Sequence, residues 1–314
     1  MAVVLPFARE FIFQYGVASQ VAPGIRRIVA QNPGPFTFKG TNSYIVGTGE
    51  VALVDPGPDD AAHREALLGE LAPKRERITH IFLTHTHKDH SAGLAKLAEA
   101  TGAKVLGFGS DPKERQAFRL SPSAETFLDA DFKPDQPLRG GERIGGGDWE
   151  LEALHTPGHA PDHLSFAVLG ADVLLSGDHV MGWNTTVVAP PEGHMGAYIS
   201  SLELLLQRAE DVYFPGHGGR VDQAQRLVKA FIMHRRWRES QILDCVRQGL
   251  DTIPLIVPKI YEGIDSALRD AAAYSVLAQL ELLTETGRVR AEPAPNLTAR
   301  YSIAQPRSPG PEPA

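Results

Sequence analysis

Apolar residues in the first two thirds of the chain fall into short runs that end abruptly in polar residues. Residues 51–55 (VALVD) and 80–85 (HIFLTH) are compact runs of this kind, and residues 149–155 alternate apolar with polar side chains. Alternation with a period of two is typical of a half-buried strand. Residues 164–169 and 172–176 resemble the two arms of a hairpin joined by a glycine turn. The pattern therefore predicts several short strands.

Helical periodicity separates these strands and dominates the chain after about residue 222. Residues 91–101 and 197–209 follow helix patterns between the strands. Strands that alternate with helices of this length favour a layered α/β domain. Residues 222–248 then form one long amphipathic pattern, whose apolar side chains lie on or near one stripe: Leu227, Val228, Phe231, Ile242, Leu243 and Val246.

A compact segment follows the long helix. It carries a short helix pattern over residues 255–261, a longer one over 267–285 and a strand-like run at 287–290. Helix, helix and wing in this order predict a winged-helix module. The Pro-rich end QPRSPGPEPA is typical of a disordered tail. We therefore expect three parts: an α/β domain at 1–222, a helical linker and winged-helix domain at 223–302, and a disordered tail at 303–314.

Composition narrows the class of protein without fixing a reaction. The 314 residues are 42% hydrophobic and carry a formal net charge of −7, which argues against charge-driven binding of nucleic acids in general. Cys245 is the single cysteine, so no intrachain disulfide can form and a reducing compartment fits. The N-terminus lacks a basic leader, and no stretch is long and apolar enough to cross a membrane. We expect a cytoplasmic protein without a membrane partner.

Three histidines and an aspartate follow the predicted strand at 80–85, in the segment THTHKDH. Alternate residues just past a strand can point to the same side, so His85 and His87 can share one metal ion. Asp89 and His90 lie on the turn into a helix and can face a second ion. Imidazole and carboxylate suit zinc, and also iron or manganese when oxygen ligands are added. A His-rich surface loop without a metal is the alternative.

Three further loops place ligand-capable residues beyond predicted strands. TPGH at 156–159, SGDH at 176–179 and FPGHG at 214–218 each follow an apolar run. A glycine in each loop lets the backbone approach an ion closely. Core packing does not explain four such loops in one chain, so the sequence predicts a metal site built from all four.

The segments HTHKDH, TPGHAPDH, SGDH and PGHG, in this order after the DPG at Asp55, resemble the motif set of the metallo-β-lactamase superfamily. The resemblance implies a four-layer αββα sandwich as the catalytic domain, followed by the C-terminal winged-helix domain. It also implies that Asp55 orients a ligand imidazole. Carried over by position, it implies one metal held by His85, His87 and His159, a second held by Asp89, His90 and His217, and Asp178 bridging both.

A pair of ions at such a site, roughly 3.5–4 Å apart, would activate water at neutral pH. Asp89 and Asp178 could accept the proton of the nucleophile while remaining ligands, so we expect these two residues to be catalytic. We expect two zinc ions per chain, with manganese or iron as alternatives. Histidine at His87 disfavours redox chemistry, because the oxygen-reducing diiron members of the superfamily typically carry an acidic residue at that place.

A closer resemblance covers almost the whole chain and concerns the substrate. The chain is similar to the β-lactamase-like protein 2 group in NPGPFT at 32–37, GTNSY at 40–44, GDHVMG at 177–182, TT at 185–186 and the winged-helix tail. The animal member of that group is an endoribonuclease acting on single-stranded RNA. The resemblance therefore implies a phosphodiesterase whose partner is single-stranded RNA or a small-molecule substrate.

Other functions stay open at this point. The site could instead hydrolyse a thioester, as glyoxalase II does, or a lactone, although no obvious Lys/Asn/Arg set for glutathione occurs in the C-terminal region. A non-enzymatic interaction protein is a third alternative, against which the intact ligand set argues. The basic run HRRWR at 234–238 could grip phosphates and stack a base, or it could form a solvated helix face with Trp237 packed inward. The winged helix could bind nucleic acid, form a homodimer contact or line the substrate cleft.

Overall fold

Two β-sheets form the centre of the computed structural model, which describes residues 5–109, 128–129, 131–263, 265 and 268–304. The first sheet has seven strands, which lie side by side in chain order: β1 (Ser19–Ala22), β2 (Ile25–Val29), β3 (Asn42–Val46), β4 (Glu50–Val54), β5 (Arg77–Phe82), β6 (Lys104–Phe108) and β7 (Gln136–Leu138). Neighbouring strands are antiparallel from β1 to β4 and parallel from β4 to β7.

The second sheet has six strands: β8 (Arg143–Gly146), β9 (Trp149–His155), β10 (Leu164–Val168), β11 (Val173–Gly177), β12 (Val212–Pro215) and β13 (Val221–Asp222). Their order across the sheet is β13-β12-β11-β10-β9-β8. Neighbours are antiparallel except β11 and β12, which are parallel. The predicted hairpin is confirmed, since β10 and β11 pair in antiparallel register around a turn at Gly170.

Helices cover the sheets and continue beyond them: α1 (Ala61–Leu71), α2 (Lys88–Ser91), α3 (Leu94–Thr101), α4 (Met195–Leu205), α5 (Ala224–Arg247), α6 (Ile253–Ile260) and α7 (Arg269–Glu285). A short 3-10 helix, Ala72–Lys74, follows α1. A two-stranded sheet of β14 (Val289–Glu292) and β15 (Arg300–Ile303) follows α7. No helix within the described ranges has both the length and the apolar character needed to span a membrane.

Alternation along the strands explains why the sheets stack. Ala52 and Val54 of β4 point to the inner side and share a core with Leu151, Phe166 and Phe214 of the second sheet. A fully buried Val or Phe side chain contributes about 1.5–3 kcal/mol relative to an exposed one. The apolar positions of both sheets therefore hold them face to face.

The outer face of each sheet is covered by helices. Val51 and Leu53, which alternate with the inner residues of β4, pack with Leu67 of α1 and Leu97 of α3. On the second sheet, the outer residues pack against α4 and the first half of α5, in a core that includes Leu174, Tyr213, Tyr198, Val228 and Phe231. Helix, sheet, sheet and helix layers follow one another, which confirms the predicted four-layer αββα sandwich.

The second half of α5 belongs to a separate C-terminal core. Ile242 and Val246 of α5 pack there with Ile256 of α6, Leu280 of α7 and Tyr301 of β15. The predicted order of helix, helix and wing is confirmed by α6, α7 and the β14–β15 pair. The domain boundaries at 222 and 302 stay predictions, and residues 305–314 of the predicted tail lie outside the described residues.

One predicted helix has a different form. Residues 91–101 were expected as a single helix, whereas the structure has α2, which begins at Lys88, and then α3 after a break at Gly93. A Cβ atom at Gly93 would lie 2.9 Å from Pro58 O and 3.1 Å from Pro56 O. The break lets the chain pack directly on the turn after β4, and it places Asp89 and His90 on a separate helical turn beside that strand.

Candidate metal centre

Side chains with metal-binding atoms converge at one edge of the stacked sheets. His85 lies beyond the end of β5, His159 beyond β9, Asp178 directly after β11 and His217 beyond β12. The short helix α2 adds two more, Asp89 and His90. The structure thus brings together all seven residues that the sequence analysis singled out as ligands: His85, His87, Asp89, His90, His159, Asp178 and His217.

Three imidazoles form the first group, which consists of His85, His87 and His159. His85 Nε2 lies 2.9 Å from His87 Nδ1, and His159 Nε2 lies 3.1 Å from the same atom. One nitrogen of each ring therefore faces a common point, and the ligand atoms all lie within 4.8 Å of one another. Three imidazole nitrogens that converge in this way suit a zinc ion.

The second group consists of Asp89, His90 and His217. His90 Nε2 is 3.3 Å from His217 Nε2 and 3.5 Å from Asp89 Oδ2. His217 Nε2 is 3.2 Å from Asp89 Oδ2. This set combines two nitrogens with a carboxylate oxygen, so it also offers the donor atoms that zinc, manganese or iron accept.

Asp178 lies between the two groups. Its Oδ1 is 3.5 Å from His90 Nε2, and its Oδ2 is 3.4 Å from His217 Nε2 and 3.7 Å from His159 Nε2. Oδ1 is buried and makes no hydrogen bond of ordinary geometry within the described part of the chain. Burying an unpaired carboxylate oxygen is costly, and a divalent cation would remove that cost. The residues present therefore fit a pair of metal ions.

The backbone of Gly216 packs directly against this centre. A Cβ atom there would lie 2.6 Å from Asp178 Oδ1 and 2.6 Å from His90 Cε1. Both distances are shorter than van der Waals contact, so only glycine lets the loop after β12 approach so closely. Gly216 N also donates to Gly177 O at 2.8 Å, which joins this loop to the one that carries Asp178.

Every imidazole of the two groups has its outer nitrogen bonded to an oxygen atom. Such partners fix the tautomer and the ring orientation of a metal ligand. The pairs are His85 Nδ1 with Thr84 Oγ1 at 3.0 Å, His87 Nε2 with Glu192 Oε2 at 3.1 Å, His90 Nδ1 with Asp55 Oδ2 at 2.8 Å, His159 Nδ1 with Val187 O at 2.7 Å, and His217 Nδ1 with Gly40 O at 3.1 Å.

Asp55 makes the contact that the sequence analysis predicted, and a second one besides. Its carboxylate accepts from His90 Nδ1 and also from Thr84 N and Thr84 Oγ1, each at 2.8 Å. Because the Thr84 hydroxyl donates its proton to Asp55, it can only accept from His85 Nδ1. One carboxylate therefore orients an imidazole in each group.

The two groups differ in protonation. Burial, together with the neighbouring imidazoles, lowers the pKa of His159 to about 4 and holds the pKa of His85 well below its ordinary value. In the second group burial acts in the same direction but is outweighed, because the carboxylates of Asp178 and Asp89 raise the pKa of His217 to about 9. In the first group only His87 behaves in this way, because its bond to Glu192 and the nearby carboxylate of Asp89 outweigh burial and raise its pKa. A cation entering the second group would therefore displace a proton, whereas His85 and His159 of the first group offer neutral imidazoles.

Glu192 is a residue of this site that the sequence analysis missed. It lies in the loop between β11 and α4, and its side chain is 14% exposed. It follows two prolines in the segment APPEG, without the strand ending and glycine loop that marked the other residues. Nothing in its spacing pointed to the site.

Neighbouring histidines hold the loops rather than join the groups. His163 Nε2 accepts from Asp178 N at 3.0 Å, so it fixes the start of the loop after β11. His194 Nδ1 accepts from Ala197 N at 3.0 Å and caps the N-terminus of α4. These contacts explain two histidines that flank the motifs without a place in the ligand set.

The basic run at 234–238 is engaged within the chain. Arg235 is buried and donates to Thr186 O. Arg238 donates to Ile260 O at 3.0 Å, and Arg236 forms an ion pair with a glutamate of α4. The arginines of the run therefore make contacts within the chain, which argues against a grip on phosphates, and the burial of Arg235 departs from the expected solvated helix face.

Comparison with known proteins identifies the family. The family described as "Metallo-beta-lactamase superfamily" matches residues 36–217, and the "Beta-lactamase associated winged helix domain" matches residues 252–295. A "Beta-lactamase-like protein 2 homolog" from Drosophila melanogaster is 31% identical over 87% of this chain and 91% of its own length. An "Atrochrysone carboxyl ACP thioesterase" from Claviceps purpurea is 28% identical over 81% of this chain and 77% of its own length.

A solved structure agrees with these relatives. A metallo-beta-lactamase family protein from Thermus thermophilus matches with a TM-score of 0.72 and 25% sequence identity, over 90% of this chain and 100% of that one. The superfamily match covers more than half of this chain and includes all seven candidate ligands. The chain therefore belongs to the metallo-β-lactamase superfamily and is a hydrolase of that superfamily.

Proposed function

We propose that this chain is a two-metal hydrolase whose ions are held by the first and second groups, with Asp178 shared between them. The position of Asp178 is the observation that supports this most directly, because its two carboxylate oxygens lie within 3.7 Å of ring nitrogens from both groups. Five imidazoles and two carboxylates suit zinc, with manganese or iron as alternatives.

When bound, such a pair of ions polarises the scissile group and activates water for attack near neutral pH. The chain itself supplies orientation and proton acceptors. Although burial opposes it, the neighbouring imidazoles hold the pKa of Asp178 and of Asp89 below the ordinary range, so both are carboxylates at pH 7. The Asp89 side chain is 28% exposed and that of Asp178 is 9% exposed. Asp89 is thus the more open acceptor for the hydrogen bond of an incoming water.

For the substrate we propose a phosphodiester, with single-stranded RNA as the first polymer to test. The support is the similarity to the β-lactamase-like protein 2 homologue over most of both chains. The internal contacts of Arg235 and Arg238 remove one argument for binding RNA along α5. Small phosphodiesters should therefore be tested beside the polymer.

An acyl thioester is the second candidate, and a specific comparison favours it. The relative from Claviceps purpurea that carries the name of a thioesterase is 28% identical to this chain. A thioester and a phosphodiester both develop negative charge on an oxygen as water attacks, so one centre could serve either. The substrate therefore has to be decided by assay.

Metal analysis and a substrate panel test this proposal. We expect about two ions per chain after purification without chelator, and turnover of bis-p-nitrophenyl phosphate or single-stranded RNA rather than of an acyl thioester or a lactone. Asp178→Asn should lower turnover by more than the roughly 10- to 100-fold typical for loss of an outer partner of a metal ligand.

Asp172→Asn is the matched control, because Asp172 lies in the turn between β10 and β11, away from both groups. Fewer than one ion per chain, or full turnover in the Asp178 variant, would contradict the two-metal proposal. Cleavage of the thioester alone would move the substrate to the second candidate.

A further inference from the structure

One segment supplies the outer partners for two of the three imidazoles in the first group. Residues 186–194, which we name the 186–194 segment, lead from the loop after β11 to the start of α4. Val187 O accepts from His159 Nδ1 at 2.7 Å, and Glu192 Oε2 lies 3.1 Å from His87 Nε2. The second group takes its outer partners from other parts of the chain. The segment is thus specific to the first group.

The contact with Glu192 determines which nitrogen of His87 carries the proton. A neutral imidazole has one N–H, and a carboxylate can only accept. His87 Nε2 must therefore donate to Glu192, which leaves the lone pair on Nδ1. That lone pair faces His85 Nε2 and His159 Nε2, at 2.9 and 3.1 Å. The opposite tautomer would place a proton on Nδ1, where the first group needs a free lone pair to bind the metal ion.

The 186–194 segment is held at both ends, so Glu192 is presented in a fixed position. At its start, Arg235 of α5 donates to Thr186 O. At its end, His194 N donates to Gly158 O at 2.9 Å, and His194 Nε2 lies 3.0 Å from Glu285 Oε1 of α7. Two of these contacts come from α5 and α7. Supporting contacts of this kind preorganise a site at little further entropic cost.

We propose that Glu192 is a positioning residue for the first metal site, because it selects the tautomer of His87 that presents Nδ1 to the ion. This inference rests on the proposed two-metal function. Glu192 serves only the first metal site, whereas Asp55 and Asp178 serve both sites. The affinity of the first group for metal should depend on Glu192, and that of the second group should not.

Glu192→Gln, measured in two backgrounds, tests the proposal. Glutamine keeps the size of the side chain but lacks its charge and offers an amide donor as well as an acceptor. His217→Ala leaves the first group intact, and there we expect the dissociation constant for zinc to rise roughly 10- to 100-fold. His87→Ala leaves the second group intact, and there we expect no change. Competition with a chromophoric chelator measures both constants, and Glu203→Gln, at an exposed position on α4, is the control.

A second measurement needs no variant and no metal. In the metal-free wild type at alkaline pH, where the His87 ring is neutral, its ¹⁵N shifts should show a protonated Nε2 and an unprotonated Nδ1. A proton on Nδ1 of the neutral ring would overturn the proposal, as would equal loss of affinity in both backgrounds or no loss in the first. Failure of the wild type to bind two ions would instead refute the two-metal function, and the ring shifts would still decide the role of Glu192.

Discussion

Asp55 reaches both groups of the metal centre, although it belongs to neither. It accepts directly from His90 and, through the Thr84 hydroxyl, fixes the acceptor that faces His85. Its φ of +57° places it in the left-handed region, which costs a non-glycine residue on the order of 1–3 kcal/mol. The three hydrogen bonds that it accepts hold it in that conformation.

Asp55→Asn should weaken metal binding at both groups. The amide has one acceptor oxygen, so either the bond from Thr84 N is lost or the bonds to His90 and the Thr84 hydroxyl change polarity. We expect each dissociation constant for zinc to rise roughly 10- to 100-fold, measured by chelator competition. Asp59→Asn is the control, because Asp59 pairs with Lys96 on the surface. A change at one group alone would contradict the shared role.

The sequence was sufficient to locate the ligand-capable residues, but not all of the residues that hydrogen-bond to them. His85, His159 and His217 were predictable because each follows an apolar run and lies near a glycine or a second ligand in its loop. Glu192 was not predictable, because its contact with His87 spans 105 residues of chain and no local pattern marks it. Hydrogen-bond partners of this kind depend on which loops the tertiary structure brings together.

At the scale of secondary-structure elements, the loops after β11 and β12 need a glycine in order to lie close together. β11 and β12 are parallel neighbours, so the loops beyond their ends leave the sheet at the same edge. Gly216 N bonds to Gly177 O, and the missing side chain of Gly216 makes room for Asp178 and His90. The paired strands and the small residue together bring the two loops into contact.

Gly216→Ala should impair metal binding while leaving the fold intact. The added methyl would lie 2.6 Å from Asp178 Oδ1 and must displace that carboxylate or the loop. We expect the bound metal to fall below two ions per chain, measured by elemental analysis alongside circular dichroism. Gly69→Ala is the matched control, since Gly69 lies in α1 and, apart from its own stretch of helix, nothing approaches within 4 Å of the added Cβ. That control should gain about 0.5–1 kcal/mol of stability. Full metal content in the Gly216 variant would argue against the close approach.

Strands were easier to predict than the helix beside the site. Residues 149–155 form β9 with the predicted bounds, because one face of that strand is buried and the alternation survives in the sequence. The helix expected at 91–101 divides at Gly93, whose backbone lies against the carbonyls of Pro56 and Pro58. That approach depends on the turn after β4, which is distant along the chain, so helical periodicity alone could not indicate it.

At the scale of the whole molecule, helix α7 of the C-terminal module carries a side chain whose titration changes stability. Burial and the neighbouring Glu285 carboxylate raise the pKa of Glu281 on α7 to about 7. The folded chain therefore binds this proton more tightly than the unfolded chain does. The contribution of Glu281 to the free energy of unfolding is fully present below the ordinary glutamate pKa of about 4.5. It is lost as the pH rises through about 7.

Glu281→Gln should remove that loss. The free energy of unfolding of the variant, relative to wild type, should increase between about pH 5 and pH 8, because only the wild type acquires the buried charge. Urea unfolding at the two pH values measures the difference, and titrations common to both proteins cancel. Glu262→Gln, at an exposed position, should show no such trend. If the stability of the Glu281 variant relative to wild type fell as the pH rose, the raised pKa of Glu281 would be contradicted.

Helix α5 runs without interruption from one hydrophobic core into another. Its first half covers the outer face of the second sheet, and its second half anchors the C-terminal module. A fragment ending at residue 222 would lose the α5 side of the core that contains Leu174 and Tyr213, and the apolar surface it exposed would favour aggregation. The enzyme therefore cannot be shortened to residues 1–222. A chimera that uses this metal centre also has to include helix α5.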